Sequence, residues 1–141
     1  MNKDAKSLWT CPKCGHQFVT RNLWHSCGNY ALDDHFKGKE LSLRETFDQV
    51  VSAASSCGPV TVYAQKTRIV FMVRVRFGSV IVRKSCLDLG LWMVGRVAHP
   101  LLMKTEVFGP RSYYPHFRLT GPQDVDIRLG ELIREAYQER L

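Results

Sequence analysis

Ile69-Val70-Phe71-Met72-Val73-Arg74-Val75-Arg76-Phe77-Gly78-Ser79-Val80-Ile81-Val82-Arg83-Lys84 is the stretch whose reading decides the fold. Through most of it, residues of different character alternate with a period of two, as in a strand with one buried face. Gly78-Ser79 breaks the pattern, and glycine first in a two-residue loop suits the tight turn of a β-hairpin. The stretch therefore reads as a strand over 69–77, a turn, and a strand over 80–84. That register sets Phe77 opposite Val80, Arg76 opposite Ile81, Val75 opposite Val82 and Arg74 opposite Arg83. Phe71, Val73, Val75, Phe77, Val80 and Val82 then share the core face, and Met72, Arg74, Arg76, Ile81 and Arg83 the other.

Similar patterning extends on both sides. Val60-Thr61-Val62-Tyr63 reads as a preceding strand and 87–93 as a following one. Glu106-Val107-Phe108 and 116–119 make a weaker last pair. Upstream, Ser42-Leu43-Arg44-Glu45 is a capping box that opens a helix. Leu43, Phe47, Val50, Val51 and Ala54 give it one apolar face, and Gly58-Pro59 ends it. Downstream, Pro122 sits near the start of a second helix running to about Arg140. Its stripe is Val125, Leu129, Leu132, Ile133 and Ala136. Helices with one apolar face must cover something apolar. The expected body is an α+β, two-layer domain: an antiparallel sheet of about five strands with two helices on one face. The other sheet face is left free.

The chain has 141 residues, 45% of them hydrophobic, which is enough for a core and against a disordered chain. No apolar run approaches the ~20 residues of a membrane span. The start, Met1-Asn2-Lys3-Asp4, lacks the apolar segment of a secretory signal. These features point to a cytoplasmic protein with no membrane partner. The net charge of +7 is concentrated in the middle. Residues 60–120 hold ten Lys or Arg against Asp88 and Glu106, a net +8; residues 121–141 hold three Arg against five acids, a net −2. A local excess of this sign favours anionic partners such as nucleic acid or phosphate groups.

Three of the five cysteines cluster near the start. Cys11-Pro12-Lys13-Cys14-Gly15 is a C-x2-C turn, and His25-Ser26-Cys27 follows within one loop's length. Thiolate and imidazole donors at this spacing are those of a four-coordinate structural zinc site. Cys11, Cys14, His25 and Cys27 are the preferred ligands, with His35 an alternate for His25 or Cys27. Short strands on either side of the turn, Leu8-Trp9-Thr10 and Gln17-Phe18-Val19, would pack with Trp24 around the metal. In a reducing compartment this reading is better than disulfides. Residues 1–40 thus form a zinc-binding, zinc-finger-like module and 41–141 the α+β domain, separated near Lys37-Gly38-Lys39-Glu40.

On the free face, Arg74 directly opposite Arg83 is unfavourable unless an anion or a carboxylate offsets it. Alternation brings Asp88 and Trp92 to the same face. Lys66 and Arg68 extend the patch from the turn before 69–77, and His116 stands beside Phe117 and Arg118. The alternative is that these side chains only cover the sheet with their stems. No Walker loop, G-x-G-x-x-G, G-x-S-x-G or H-E-x-x-H occurs. Nor does any spacing couple Cys86 to His99 or His116 as nucleophile and base. Nothing in the sequence makes an enzyme the first reading.

Leu8-Trp9-Thr10-Cys11-Pro12-Lys13-Cys14-Gly15 with Trp24-His25-Ser26-Cys27 resembles the head of small bacterial proteins whose remainder is a domain of unknown function, DUF5655. The later blocks are similar too: Lys66-Thr67-Arg68-Ile69, Arg74-Val75-Arg76-Phe77, Phe108-Gly109-Pro110-Arg111-Ser112, His116-Phe117-Arg118-Leu119 and Arg134-Glu135-Ala136-Tyr137. The resemblance implies a metal-binding head and an α+β body, and carries no activity. It draws attention to Lys66, Arg68, Arg74, Arg76 and His116.

The expected function is binding of nucleic acid or a phosphate-bearing ligand by Lys66, Arg68, Arg74, Arg76, Arg83 and His116, with structural zinc in the head. Two alternatives stand beside it: a small enzyme or ligand-binding domain gripping an anionic substrate, and a protein–protein adaptor. A continuous basic strip favours nucleic acid, an enclosed pocket a small ligand, and an exposed apolar patch a protein partner.

Overall fold

The computed structural model describes residues 32–141 and, before them, two short paired strands, β1 (Trp9–Thr10) and β2 (Gln17–Phe18). These strands are antiparallel, with Trp9 opposite Phe18 and Thr10 opposite Gln17. The metal-ligand candidates Cys11, Cys14, His25 and Cys27, and Trp24, lie outside the described residues.

The body has α+β character, with six strands and two α-helices. Helix α1 spans Leu41–Ser55 and buries Leu43, Phe47, Val50 and Ala54. The expected capping box does not form. The N-cap is Glu40, without a side-chain cap, and Ser42 lies in the first turn, where its carbonyl accepts from Thr46 Oγ1 at 2.6 Å. The helix ends before Gly58, whose φ of 144° is in the region that favours glycine. A Cβ there would also strike the Tyr137 hydroxyl.

The sheet comprises β3 (Thr61–Ala64), β4 (Ile69–Met72), β5 (Arg76–Val82), β6 (Leu87–Leu91), β7 (Leu102–Gly109) and β8 (Ser112–Leu119). Their order is β3-β4-β5-β6-β8-β7, and every pairing is antiparallel. The last strands therefore include the expected pair at 106–108 and 116–119, each longer than its sequence pattern showed.

The central hairpin is elsewhere than expected. The chain reverses at Val73-Arg74-Val75, where the Val73 amide donates to the Val75 carbonyl at 3.1 Å. Gly78 and Ser79 lie inside β5, opposite Phe71 and Val70. Gly78 serves close packing: a Cβ there would come within 2.9 Å of the Gly90 carbonyl oxygen. Arg74 sits in the turn and does not oppose Arg83, and Val75 is 38% exposed rather than core. A register shift beside Met72 makes room for the extra residue, so Met72 opposes Arg76.

Across the helix-covered face run Val62, Phe71, Gly78 and Leu91 in one row, and Val80, Leu89 and Phe117 in another. These join Leu43, Phe47 and Val50 of α1 and Leu129, Leu132 and Ile133 of α2 (Ile127–Glu139) in one core. Each such buried side chain contributes roughly 1.5–3 kcal/mol by leaving water. A 3₁₀ turn over Pro122–Asp124 precedes α2, so Pro122 opens that turn rather than the α-helix. The α2 N-cap is Asp126, which accepts from the Leu129 amide at 2.8 Å. The 3₁₀ turn Leu32–Phe36 also packs on the body, with the Phe36 and Phe47 rings 5.3 Å apart. Among the described residues no helix is long and apolar enough to cross a membrane.

Candidate functional site: a cleft on the open sheet face

The sheet face away from the helices carries Tyr63, Val70, Ser79, Gly90 and His116 in one cross-strand row. Gly90 is the gap in that row. A Cβ at this position would come within 2.3 Å of the Tyr114 ring, so glycine lets the ring pass close over the β6 backbone. Tyr114 then reaches two strands over, and its hydroxyl and that of Ser79 are hydrogen-bonded at 2.5 Å. Burial pushes the Tyr114 phenol up, against the lowering influence of the Ser79 bond and the Arg68 charge.

A cleft of about 410 Å³ opens above this floor. That volume suits a small organic ligand. Arg68 and Arg76 line it together with Gln65, Ser79 and Tyr114. Arg76 Nε donates to the Tyr63 hydroxyl at 3.0 Å, which aims the guanidinium along the face. Among the described residues neither Arg68 nor Arg76 forms an ion pair. Trp92 and Phe108, ring centroids 5.1 Å apart, form an aromatic wall. Trp92 also rests on Tyr114 at 4.7 Å and under the Arg140 guanidinium at 5.7 Å.

Three neighbouring strands supply a chain of charged groups beside the cleft. His116 Nδ1 is 2.8 Å from Asp88 Oδ1, and both residues are buried. His116 Nε2 is 2.6 Å from Glu106 Oε1, and Glu106 lines the cleft. Both ring nitrogens of His116 thus lie within hydrogen-bond distance of a carboxylate, one from β6 and one from β7. Arg83 Nη2 reaches the other oxygen of Asp88 at 3.3 Å. Asp88 thus serves the open face through His116 and Arg83.

The residues singled out from the sequence are dispersed. Arg68 and Arg76 enter the cleft, and His116 borders it through Glu106. Arg83 is exposed and held by Asp88, while Arg74 and Lys66 are exposed in turns. Asp88 and Trp92 take the open-face positions that alternation gave them. Ser79, Tyr114 and Gln65 were missed; the one available signal was Gly90, an isolated glycine in a strand, which marks close approach. His35 Nε2 is bonded to the Gln65 carbonyl oxygen at 2.7 Å, tying that histidine to the body.

No curated protein and no solved structure matches the chain significantly. Residues 32–140, which cover the helices, the sheet and the whole cleft, match the family described as Domain of unknown function (DUF5655), and the chain belongs to that family.

Proposed function

We propose that the open sheet face binds a small anionic molecule that also carries a flat ring. Arg68 and Arg76 hold its phosphate or carboxylate oxygens, and the ring rests against Trp92 and Phe108. The observation that carries this reading is that two arginines without a described ion-pair partner open into one cleft with an aromatic wall. A charged ligand there gains charge-assisted hydrogen bonds from guanidinium groups that have no carboxylate partner among the described residues. The sequence alone allows either nucleic acid or a phosphate-bearing ligand on Lys66, Arg68, Arg74, Arg76, Arg83 and His116. With Arg74 in a turn and Arg83 held by Asp88, the cleft supports a small ligand better.

Fluorescence titration tests this with inorganic phosphate and a nucleoside monophosphate as probes. The nucleotide is expected to bind more tightly and to quench Trp92, with Trp92→Phe removing the signal. Arg68→Ala and Arg76→Ala should each weaken binding about tenfold or more, with strong salt dependence. Absence of binding by either probe sinks the reading.

We further propose that the head holds one structural zinc through Cys11, Cys14, His25 and Cys27. The β1–β2 pairing supports it: Thr10 opposite Gln17 brings together the two residues that flank the cysteine pair in sequence. The bond from His35 to Gln65 favours His25 over His35 in the ligand set. With four protein ligands the metal has no open position for chemistry. We place the protein in the cytoplasm, a reducing compartment that suits a C-x2-C metal turn and the free thiols of Cys57 and Cys86.

A further inference from the structure

We propose that two copies of this chain pair through β7, edge to edge and antiparallel, about a two-fold axis at Thr105. Backbone directions come first. Tyr113 exchanges two hydrogen bonds with Met93, each 2.9 Å, so its amide and carbonyl point away from β7. Val107 stands opposite Tyr113 in the β7–β8 register. It therefore occupies a non-hydrogen-bonded position, and its own N–H and C=O face outward. Thr105, two residues earlier, faces the same way, opposite Pro115, which has no N–H to give. No described strand lies beyond β7. A long edge with free backbone groups is a template for another strand. Its side chains are unusually apolar for an edge: Met103 is 45% exposed, Val107 53% and Phe108 59%.

Charge selects a second copy as the occupant and fixes the register. Centred on Thr105, the two-fold pair sets Lys104 of each copy opposite Glu106 of the other. It also sets Met103 opposite Val107, twice. Centred on Lys104 or Glu106, it would instead put two like charges face to face, which is destabilising. Glu106 Oε1 meets His116 Nε2, which leaves the other carboxylate oxygen for the lysine. The register shifts at Leu102/Lys104 and Val107/Gly109 bracket this run, so the new ladder is short. Its area is at the low end for protein interfaces, which makes the dimer reversible and concentration-dependent.

Sedimentation velocity of the purified full chain, from about 1 to 200 μM, tests the proposal in the range expected of a small interface. A monomer–dimer equilibrium is expected. Thr105→Pro removes an outward amide without touching the β8 ladder, so it should give a monomer with unchanged circular dichroism. Lys104→Glu should weaken the dimer about tenfold or more. If Thr105→Pro fails to fold, Lys104→Glu and Val107→Lys decide. A monomer at every concentration, or a dimer that Lys104→Glu and Val107→Lys leave unchanged, overturns the proposal.

Discussion

Tyr114 occupies the space that a side chain at Gly90 would fill, and this one relationship builds the floor of the cleft. Even a methyl group at Gly90 must push the ring away, because backbone on one strand meets ring on the next. Gly90→Ala should destabilise the fold by about 1–3 kcal/mol, the usual cost of overpacking. It should also break the Ser79–Tyr114 bond. Urea unfolding measures the first effect. The second should appear as altered Trp92 fluorescence, since Trp92 rests on Tyr114.

Asp88 is 4% exposed, and its two carboxylate oxygens meet His116 and Arg83. Removing His116 leaves the buried Asp88 with only the exposed Arg83 as partner. His116→Ala should therefore cost about 3–5 kcal/mol. Asp88→Leu combined with His116→Phe should cost clearly less than the sum of the single changes, because no charge is stranded. A double-mutant cycle by urea unfolding reads this directly, and strict additivity would count against a coupled pair.

What was legible in the sequence was periodicity; what was not was the position of the turn. The stripes of both helices are in the core as patterned: Leu43, Phe47, Val50, Leu129, Leu132 and Ile133 are all buried. Gly78-Ser79 read as a turn because local chemistry permits one there. The strand instead runs through it, because Gly78 is needed where the Gly90 carbonyl and Leu91 approach. That requirement comes from a neighbouring strand and leaves no local trace. The same shift scattered the arginines. Arg76 stayed on the open face while Arg74 left it, so the cleft drew its other polar and aromatic groups from Ser79 of β5, Trp92 just past β6, and β7 and β8.

Asp126 caps α2, and the Leu129 amide bonded to its carboxylate, helped by the neighbouring His99, holds its acid below the ordinary 3.8. Asp126→Ala should lower stability by about 1 kcal/mol at neutral pH. The folded state prefers the ionised acid, so this contribution is present above the unfolded value and is lost as pH falls through the folded one. Wild type and variant should therefore converge at acid pH, below the ordinary 3.8, once the carboxylate is protonated in the folded state too. A gap that stayed constant into that range would assign the effect to something other than the charged cap.

Among the described residues the core of the body runs from Leu32 onward. If zinc organises the head, chelation should act on one part of the chain alone. Amide exchange should rise through residues 8–31 after metal removal, because so short a segment buries too little apolar surface to hold itself. Protection in α1 and in β4 to β6 should stay as it was. Cys11→Ser or Cys14→Ser should abolish the one bound zinc seen by native mass spectrometry, while His35→Ala should leave it in place and lose only the bond to Gln65. Zinc lost on His35→Ala would move the fourth ligand to the 3₁₀ turn on the body, and unchanged exchange in the head would remove the structural role of the metal.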